Sequence, residues 1–466
     1  MPLDVVVLAA GEGKRMRSRA QKILHPVAGR PLIWYPVALG RGLGARITVV
    51  IGRQSEAVRQ ALGEGPDLNF VEQKEPRGTG HALLQARSVA GSGTGTLMVL
   101  PGDVPLLSLE TLRKLLDHHE STHAAATLLT AVVDDPKGYG RVLREKGQVA
   151  AIVEERDTFP EQRKIREIGT SIYCFDSRLI WTGLEQVTDR NDQGEYYLTD
   201  VIGILARRGH RVEAYTAEEP IECLGVNDRK QLAQLAEVMR GKILDQLMID
   251  GVTIMNPADT YIDADVAIGQ DSVIYPGVVI EGKSAIGEGC VVGSGCQLTR
   301  AQIGHRVTLK PYCVIADSTI EDDATIGPFA HLRPLSSVGK SAKVGNFVEL
   351  KKTRVGKGSK VPHLSYVGDT TIGDDANIGA GTITCNYDGS EKHETKIGDR
   401  VFVGTNSSLV APLTIGEGAY IAAGSTITEN VPPGALAVGR AKQVIKEGWA
   451  ARRKKTKKPP KPEEKD

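Results

Sequence analysis

Two glycines and a group of cations follow the first apolar run of the chain: "LAAGEGKRM", Leu8 to Met16, comes directly after Val5, Val6 and Val7. A strand ending in Gly-x-Gly can turn sharply and bring backbone N–H groups close to an anion, because neither Gly11 nor Gly13 interposes a Cβ. Two readings fit: a phosphate-binding turn, or an ordinary strand-to-helix turn whose Lys14, Arg15 and Arg17 are solvated. The spacing matches neither G-x-G-x-x-G nor G-x-x-x-x-G-K-[ST], so the dinucleotide and P-loop readings lack their residues. Asp103, just after the apolar "TLMVL", could hold a divalent cation or cap a turn. Much later in the chain, Arg333, Lys351, His363, Tyr366, Asn377, Asn386 and Tyr387 crowd into one otherwise bland segment. A histidine, with an unperturbed pKa of about 6.5, can act as a general base near neutral pH. Taken singly, His363 is equally a structural histidine at a corner, and the cations around it are equally a solvated face.

Such residues need elements to position them. At 466 residues the chain is long enough for two or three domains, each with its own core. A net charge of +1 creates no global field toward nucleic acid or membrane. The N-terminus carries Asp4 within its apolar segment and no basic region before it, and no run of about 18 apolar residues occurs. A soluble cytoplasmic protein is expected, with no membrane insertion and no stable nucleic-acid partner. The six cysteines, Cys174, Cys223, Cys290, Cys296, Cys313 and Cys385, form no C-x-x-C pair and are too sparse for a disulfide framework.

With 52 glycines and only 5% aromatic residues, the core must be aliphatic, and a repeat supplies it. From about Asn256 an aliphatic residue recurs every six positions: Ile262, Ile268, Ile274, Ile280, Ile286, Val292, Leu298. After a one-residue slip the pattern resumes at Ile303, slips again at Ile320, and closes with Ile397, Val403, Leu409, Ile415, Ile421 and Ile427. Such a period fits a short strand plus a turn repeated as the faces of a prism, the aliphatic inward and glycine at corners where φ is positive. Three faces give about 18 residues per coil and about nine or ten coils of parallel β-helix. The polar stretch "CNYDGSEKHETK", Cys385 to Lys396, should leave the prism as a loop. In the first half, apolar runs (Val5 to Leu8, Ile47 to Ile51, Leu97 to Leu100) alternate with helical patterns, which predicts a doubly wound α/β sheet with ligands at the strands' carboxyl ends. Leu232, Leu235, Met239, Ile243 and Leu247 recur at helical spacing. The expected domains are 1–226 for the α/β unit, 227–250 for a helical linker, 251–449 for the β-helix and 450–466 for a disordered basic tail.

In order along the first half stand "LAAGEGKRM", Lys22 in "QKILHPVAG", "EQKEPRGTGHAL", "LMVLPGDVPLL", "GYGRV", "IVEE", "GEYYLTD" and "GVNDR". This series resembles the sugar-1-phosphate nucleotidylyltransferases. With the hexapeptide half and the closing "KEGW", the resemblance extends from Leu3 to Trp449, to the bifunctional enzymes that make UDP-N-acetylglucosamine for peptidoglycan and lipopolysaccharide synthesis. It implies a Rossmann-like nucleotidyltransferase domain and, through the hexapeptide-repeat acyltransferases, a left-handed β-helix. By resemblance, Leu8, Ala9 and Ala10 bind the UTP or sugar nucleotide, and Gly11, Gly13, Arg15 and Lys22 bear on the triphosphate of UTP. Gln73, Gly78 and Thr79 read the uracil, an amide being able to satisfy a donor and an acceptor on a base edge. Gly140, Glu154 and Gly169 stand at positions that contact the sugar, and Asp103 with Asn227 holds Mg²⁺. Lys14, Gln21 and Pro101 depart from the family's usual Thr, Pro and Tyr. Gly169 replaces its usual Asn, which opens sugar choice to relaxation.

In the second half the resemblance implies His363 as the base for acetyl transfer to an amine, with Arg333, Lys351, Tyr366 and Asn377 holding glucosamine 1-phosphate. Ala380, Asn386, Tyr387, Thr405, Ala423 and Arg440 would contact acetyl-CoA, with Thr405 where the family often has Ser. The assembly implied is a homotrimer. The expected function is acetylation of glucosamine 1-phosphate, then uridylyl transfer from UTP to N-acetylglucosamine 1-phosphate. Alternatives are a nucleotidylyltransferase of different or relaxed sugar specificity and a non-catalytic regulatory subunit.

Overall fold

The computed structural model describes residues 2–11, 13–52, 55–90 and 94–454. Of the basic tail, residues 455–466 lie outside the described residues, and a short helix, Trp449–Lys454, occupies its beginning. The chain divides into two compact units, one formed by Met1–Gln246 with Ile262–Asp265, the other by Leu247–Tyr261 and Val266 onward. Among the described residues no helix is long and apolar enough to cross a membrane.

The first unit is built on a nine-stranded sheet. Its strands are β1 (Leu3–Ala9), β2 (Arg46–Ile51), β3 (Leu68–Glu72), β4 (Thr96–Pro101), β5 (Ala126–Val132), β6 (Gly140–Glu145), β7 (Gln148–Val153), β8 (Glu167–Asp176) and β9 (Val212–Thr216). Helices α1 (Trp34–Gly42), α2 (Ser55–Leu62), α3 (Thr79–Gln85), α4 (Leu109–Thr122), α5 (Leu179–Leu184), α6 (Thr199–Arg207) and α7 (Arg229–Ile249) accompany it. The order across the sheet is β9-β5-β8-β4-β1-β2-β3, with β6 beside β8 and β7 beside β6. Val5 and Val7 enter one buried cluster and Val6 another, so β1 is covered on both faces. That double burial is why it reads as an uninterrupted apolar run. The sheet is mixed: β8 runs antiparallel to β4 and β5, and β6 antiparallel to β8.

From β1 the chain builds outward through β2 and β3, then crosses to the other side of β1 for β4. The carboxyl ends of β1 and β4 therefore flank a topological switch point, the place where open α/β sheets bind their ligands. The segment after Ala9 and the residues after Pro101 meet there. The first part of α7 packs Leu235, with Leu232 and Met239, against Met16, Leu32 and Val226 of this unit.

The second unit is a parallel β-helix whose strands form an eleven-stranded and a seventeen-stranded sheet. On one face Ile274, Val292, Leu309, Ile326, Val344, Val361, Ile378, Val403 and Ile421 point inward, each no more than 1% exposed. Full burial of such a side chain is worth about 1.5–3 kcal/mol, so the column is the main cohesive element of that face. The slips in the repeat are shortened coils: Ile268 pairs with Ile286, but Ile286 pairs with Ile303. The missing residue is lost at the corner turned by Arg300, at φ 49°.

The glycines do not all serve as expected. Corners with positive φ are turned by Gly289, Gly358 and Gly418, but equally by Asp271, Arg306, Asp323, Ser341, Asp375 and Arg400. The glycines that directly follow inward aliphatics answer a different need. A Cβ on Gly287 would lie 2.7 Å from the Gly304 carbonyl carbon, one on Gly356 2.3 Å from the Gly373 oxygen, and one on Gly398 2.7 Å from the Glu417 nitrogen. They form a column along which each coil touches the next, backbone to backbone. The polar stretch leaves the prism after Cys385 and returns at Thr395, so that Ile372 pairs with Ile397 across it. Tyr387 and Lys392 bridge within the loop.

Candidate active sites

At the switch point Gly13 takes φ +60°, and a Cβ there would lie 2.5 Å from the Lys22 Cβ. The turn can therefore lie directly against Lys22. The Lys22 ammonium pairs with the Asp103 carboxylate, and Arg15 donates to Asn227 Oδ1 at 2.8 Å. Val226 N donates to the Asp103 carbonyl at 3.0 Å, which sets Asn227 beside Asp103. A Cβ on Gly225 would stand 3.3 Å from Asp103 Oδ1, so a glycine keeps that side of the carboxylate open. A carboxylate and an amide oxygen, side by side and hard, suit a small divalent cation that keeps water and phosphate oxygens as further ligands. Burial raises the Tyr139 phenol, and the Asp103 charge raises it further, so the start of β6 also faces this cluster. Leu8 and Ala9 end β1 just before it, Ala10 follows, and Gly11 has open space around its Cβ position.

The second group follows β3. Gln73 is 5% exposed and its N–H continues the ladder to Ile51 at 2.8 Å. Gly78 begins α3 at φ +104°, where a Cβ would lie 2.6 Å from the Tyr196 oxygen. The Thr79 hydroxyl accepts from Leu198 N at 3.0 Å. The next residue, Thr199, donates to Glu154 Oε1 at 3.0 Å. One short segment thus ties the second group to a third, made of Gly140, Glu154 and Gly169. Gly140 pairs with Gly169 between β6 and β8, and Ile152 fills the niche over both: a Cβ would meet it at 2.8 Å from Gly140 and 3.3 Å from Gly169. The Glu154 carboxyl is pushed up by burial first, then by Asp200, Asp157 and Glu195.

In the β-helix, His363, Ala380, Thr405, Ala423 and Arg440 occupy equivalent positions of successive coils. Backbone bonds stack them: Gly381 N on the His363 carbonyl at 3.3 Å, Asn406 N on Ala380 at 2.7 Å, Gly424 N on Thr405 at 2.8 Å. Arg440 closes the column by donating to the Ala423 carbonyl at 2.7 Å. Around the corner from His363, Tyr366, Lys351 and Asn386 converge over Gly368. A Cβ on Gly368 would lie 2.6 Å from the Tyr366 hydroxyl and 2.8 Å from the Asn386 amide nitrogen, so a glycine lets these two side chains lie over the backbone. Arg333 is held by Glu349 at 2.9 Å. Tyr387 donates to the Gly389 carbonyl at 2.6 Å within the extruded loop. Asn377 stands apart. It is in register with Lys360 and Phe402, whereas His363 is in register with Asn346 at the other end of the same face.

Three residues that sequence reasoning passed over belong to this site. Asn346, one coil before His363, places its side-chain oxygen on His363 Nδ1. An acceptor there keeps the proton on Nδ1 and leaves Nε2 free as a base. Asp369 accepts from Lys351 at 2.8 Å and also from the Asn386 amide. Burial alone would raise its carboxyl, but those two donors outweigh it and hold it below the ordinary value. Lys392 faces the Lys351 ammonium, which lowers the Lys392 pKa. Two ammonium groups brought together beside Arg333 make a place for an anion. The signal available in the sequence was the coil spacing, since Asn346 and His363 are 17 residues apart, as are Asp369 and Asn386.

Comparison with known proteins places both halves. The model of the MobA-like NTP transferase domain matches residues 5–190, and that of the bacterial transferase hexapeptide (six repeats) matches 265–300 and 394–429. The hexapeptide match gives the β-helix its left-handed sense. The chain is 49% identical over 450 residues to the bifunctional protein GlmU of Brevibacillus brevis, covering 96% of this chain and 97% of that one. The protein of the same name from Geobacillus sp. is 49% identical with the same coverage. That of Heliobacterium modesticaldum is 49% identical, covering 97% of this chain and 98% of its own.

Proposed function

Given that the chain belongs to the GlmU family, we propose that its second unit acetylates glucosamine 1-phosphate from acetyl-CoA and its first unit transfers the uridylyl group of UTP to the N-acetylglucosamine 1-phosphate so formed. The reading is carried by the convergence of dispersed residues at two places: Arg15, Lys22, Asp103 and Asn227 at the switch point, and His363, Lys351, Tyr366 and Asn386 on the prism.

In uridylyl transfer a sugar-phosphate oxygen bonds to the α-phosphorus of UTP as the bond to pyrophosphate breaks, so the protein's task is positioning and charge neutralisation. Gly11 and Gly13 let backbone approach the triphosphate, while Lys22 and Arg15 exchange Asp103 and Asn227 for phosphate oxygens. Mg²⁺, held by Asp103 and Asn227, supplies further neutralisation when bound. Gln73 with the Gly78–Thr79 turn receives the uracil, and Glu154 with Gly140 receives the sugar. In acetyl transfer His363 Nε2 takes the proton of the amine as nitrogen bonds to the thioester carbonyl. Collapse breaks the C–S bond and the thiolate leaves, recovering a proton from the imidazolium. Arg333, Lys351 and Lys392 hold the sugar phosphate, and the column from Ala380 to Arg440, with Asn386 and Tyr387, carries the coenzyme.

Asn377 stands at the far end of its face from His363, which supports a homotrimer in which neighbouring prisms complete each acetyl site. We place the protein in the cytoplasm, in keeping with six free cysteines. The first experiment is a paired assay on the purified chain: CoA release from acetyl-CoA with glucosamine 1-phosphate, and pyrophosphate release from UTP, Mg²⁺ and a panel of sugar 1-phosphates. His363→Ala should abolish the first signal and leave the second intact; loss of both would refute independent sites. A second reading, relaxed sugar choice, is favoured by Gly169, which offers the sugar no side chain and has Ile152 3.3 Å from where a Cβ would stand. Equal or better turnover of glucose 1-phosphate would establish it.

A further inference from the structure

Gln73 carries a primary amide, which can present a base with either its oxygen or its N–H group, and the two choices select different pyrimidines. Uracil and thymine offer an N3–H donor; cytosine offers a bare N3 acceptor at the same place. In this structure the Gln73 amide nitrogen faces two groups. Gln73 Nε2 donates to the Gly78 carbonyl at 3.1 Å and lies 2.9 Å from His81 Nδ1. A carbonyl can only accept, so the Gly78 oxygen fixes which end of the amide faces it. Burial lowers the His81 pKa, and the Arg77 charge lowers it further, which favours the neutral ring; with its one proton on Nε2, where the Gln85 amide lies at 3.3 Å, Nδ1 is an acceptor. The loop bearing these groups is pinned: Tyr196 N donates to the Arg77 carbonyl at 2.9 Å, Gly80 N to the Tyr196 carbonyl at 2.8 Å, and the Arg77 guanidinium lies 5.0 Å from the Tyr196 ring centre.

We propose that His81 is a positioning residue for base specificity: together with the Gly78 carbonyl it locks the Gln73 amide so that only the side-chain oxygen is left for the nucleotide, selecting imide-bearing pyrimidines and rejecting cytosine. This rests on the reading of Gln73 as the uracil contact. His81 itself touches Gln73 and not the base. Its effect should therefore fall on discrimination between nucleotides, and on KM more than kcat.

The test compares kcat/KM for UTP and CTP, by pyrophosphate release, in the wild-type chain and in His81→Ala and His81→Asn. Loss of one of two restraints should lower the UTP-over-CTP ratio about threefold to tenfold in His81→Ala, the size of one neutral hydrogen bond. His81→Asn, which keeps an acceptor, should retain more of the ratio. An unchanged ratio in a folded His81→Ala would overturn the proposal. Because the alanine variant can also fail to fold, the wild-type enzyme is assayed in parallel with N3-methyl-UTP, which lacks the imide hydrogen: turnover equal to UTP would equally overturn it, and a loss as steep as with CTP supports it. Gln73→Ala separates the two layers. If it leaves the KM for UTP unchanged, the uracil contact itself is misassigned; if it raises that KM while His81→Ala leaves the ratio alone, only the role of His81 fails.

Discussion

Asp369 and Glu154 are both carboxylates in a site, and their surroundings push them in opposite directions. Asp369 joins a cation expected to meet a sugar phosphate, Lys351, to an amide expected to meet the coenzyme, Asn386. Asp369→Asn should raise the KM for glucosamine 1-phosphate and for acetyl-CoA together, about threefold to tenfold each, with uridylyl transfer unchanged; a rise in only one would show that the carboxylate does not couple them. Glu154 lies in a buried acidic setting with one hydroxyl donor, so its folded pKa stands above the unfolded value. Its favourable contribution is therefore complete below the ordinary carboxylate range and is lost as pH rises through the raised folded value. Glu154→Gln should raise the denaturation midpoint at pH 8 and leave it nearly unchanged at pH 4, while weakening sugar binding. These roles were not legible in the sequence. Glu154 stood out only through its motif, and Asp369, Asn346 and Lys392 acquire meaning once coils are stacked in register, which the one-residue slips conceal.

At the scale of elements, the hexapeptide period was legible because a six-residue repeat of inward aliphatics has no counterpart in helices or ordinary strands. What it could not reveal was why glycine follows the aliphatic. The distinction is measurable. Gly356 has ordinary φ but a would-be Cβ 2.3 Å from the next coil, whereas Gly418 has φ +65° and nothing within 4 Å. Gly356→Ala should destabilise the β-helix by about 1–3 kcal/mol or more through overpacking. Gly418→Ala should cost about 1–2 kcal/mol through backbone strain alone. The thermal transition of the second unit reports both, and the reverse ranking would restore the corner explanation. In the first unit the alternation of strands and helices was legible, but the antiparallel β8 was not anticipated, because direction is set by the connection and not by the strand's own residues.

For the whole molecule, the position of Asn377 makes a prediction about assembly. If neighbouring prisms complete each acetyl site, Lys351→Ala and Asn377→Ala chains should each be inactive alone, and co-assembled through two different affinity tags they should recover acetyl transfer. No recovery in tag-purified mixed assemblies would place both residues in one chain's site. The column from His363 to Arg440 has a further consequence. Its members are one coil apart, and the strands of successive coils are spaced by about 4.8 Å, so the backbones of His363 and Arg440 stand roughly 19 Å apart along the prism. Coil number thus acts as a ruler for the acyl carrier: deleting the one coil from Asn406 to Ala423 would shorten the gauge by about 4.8 Å and favour a donor with a correspondingly shorter arm.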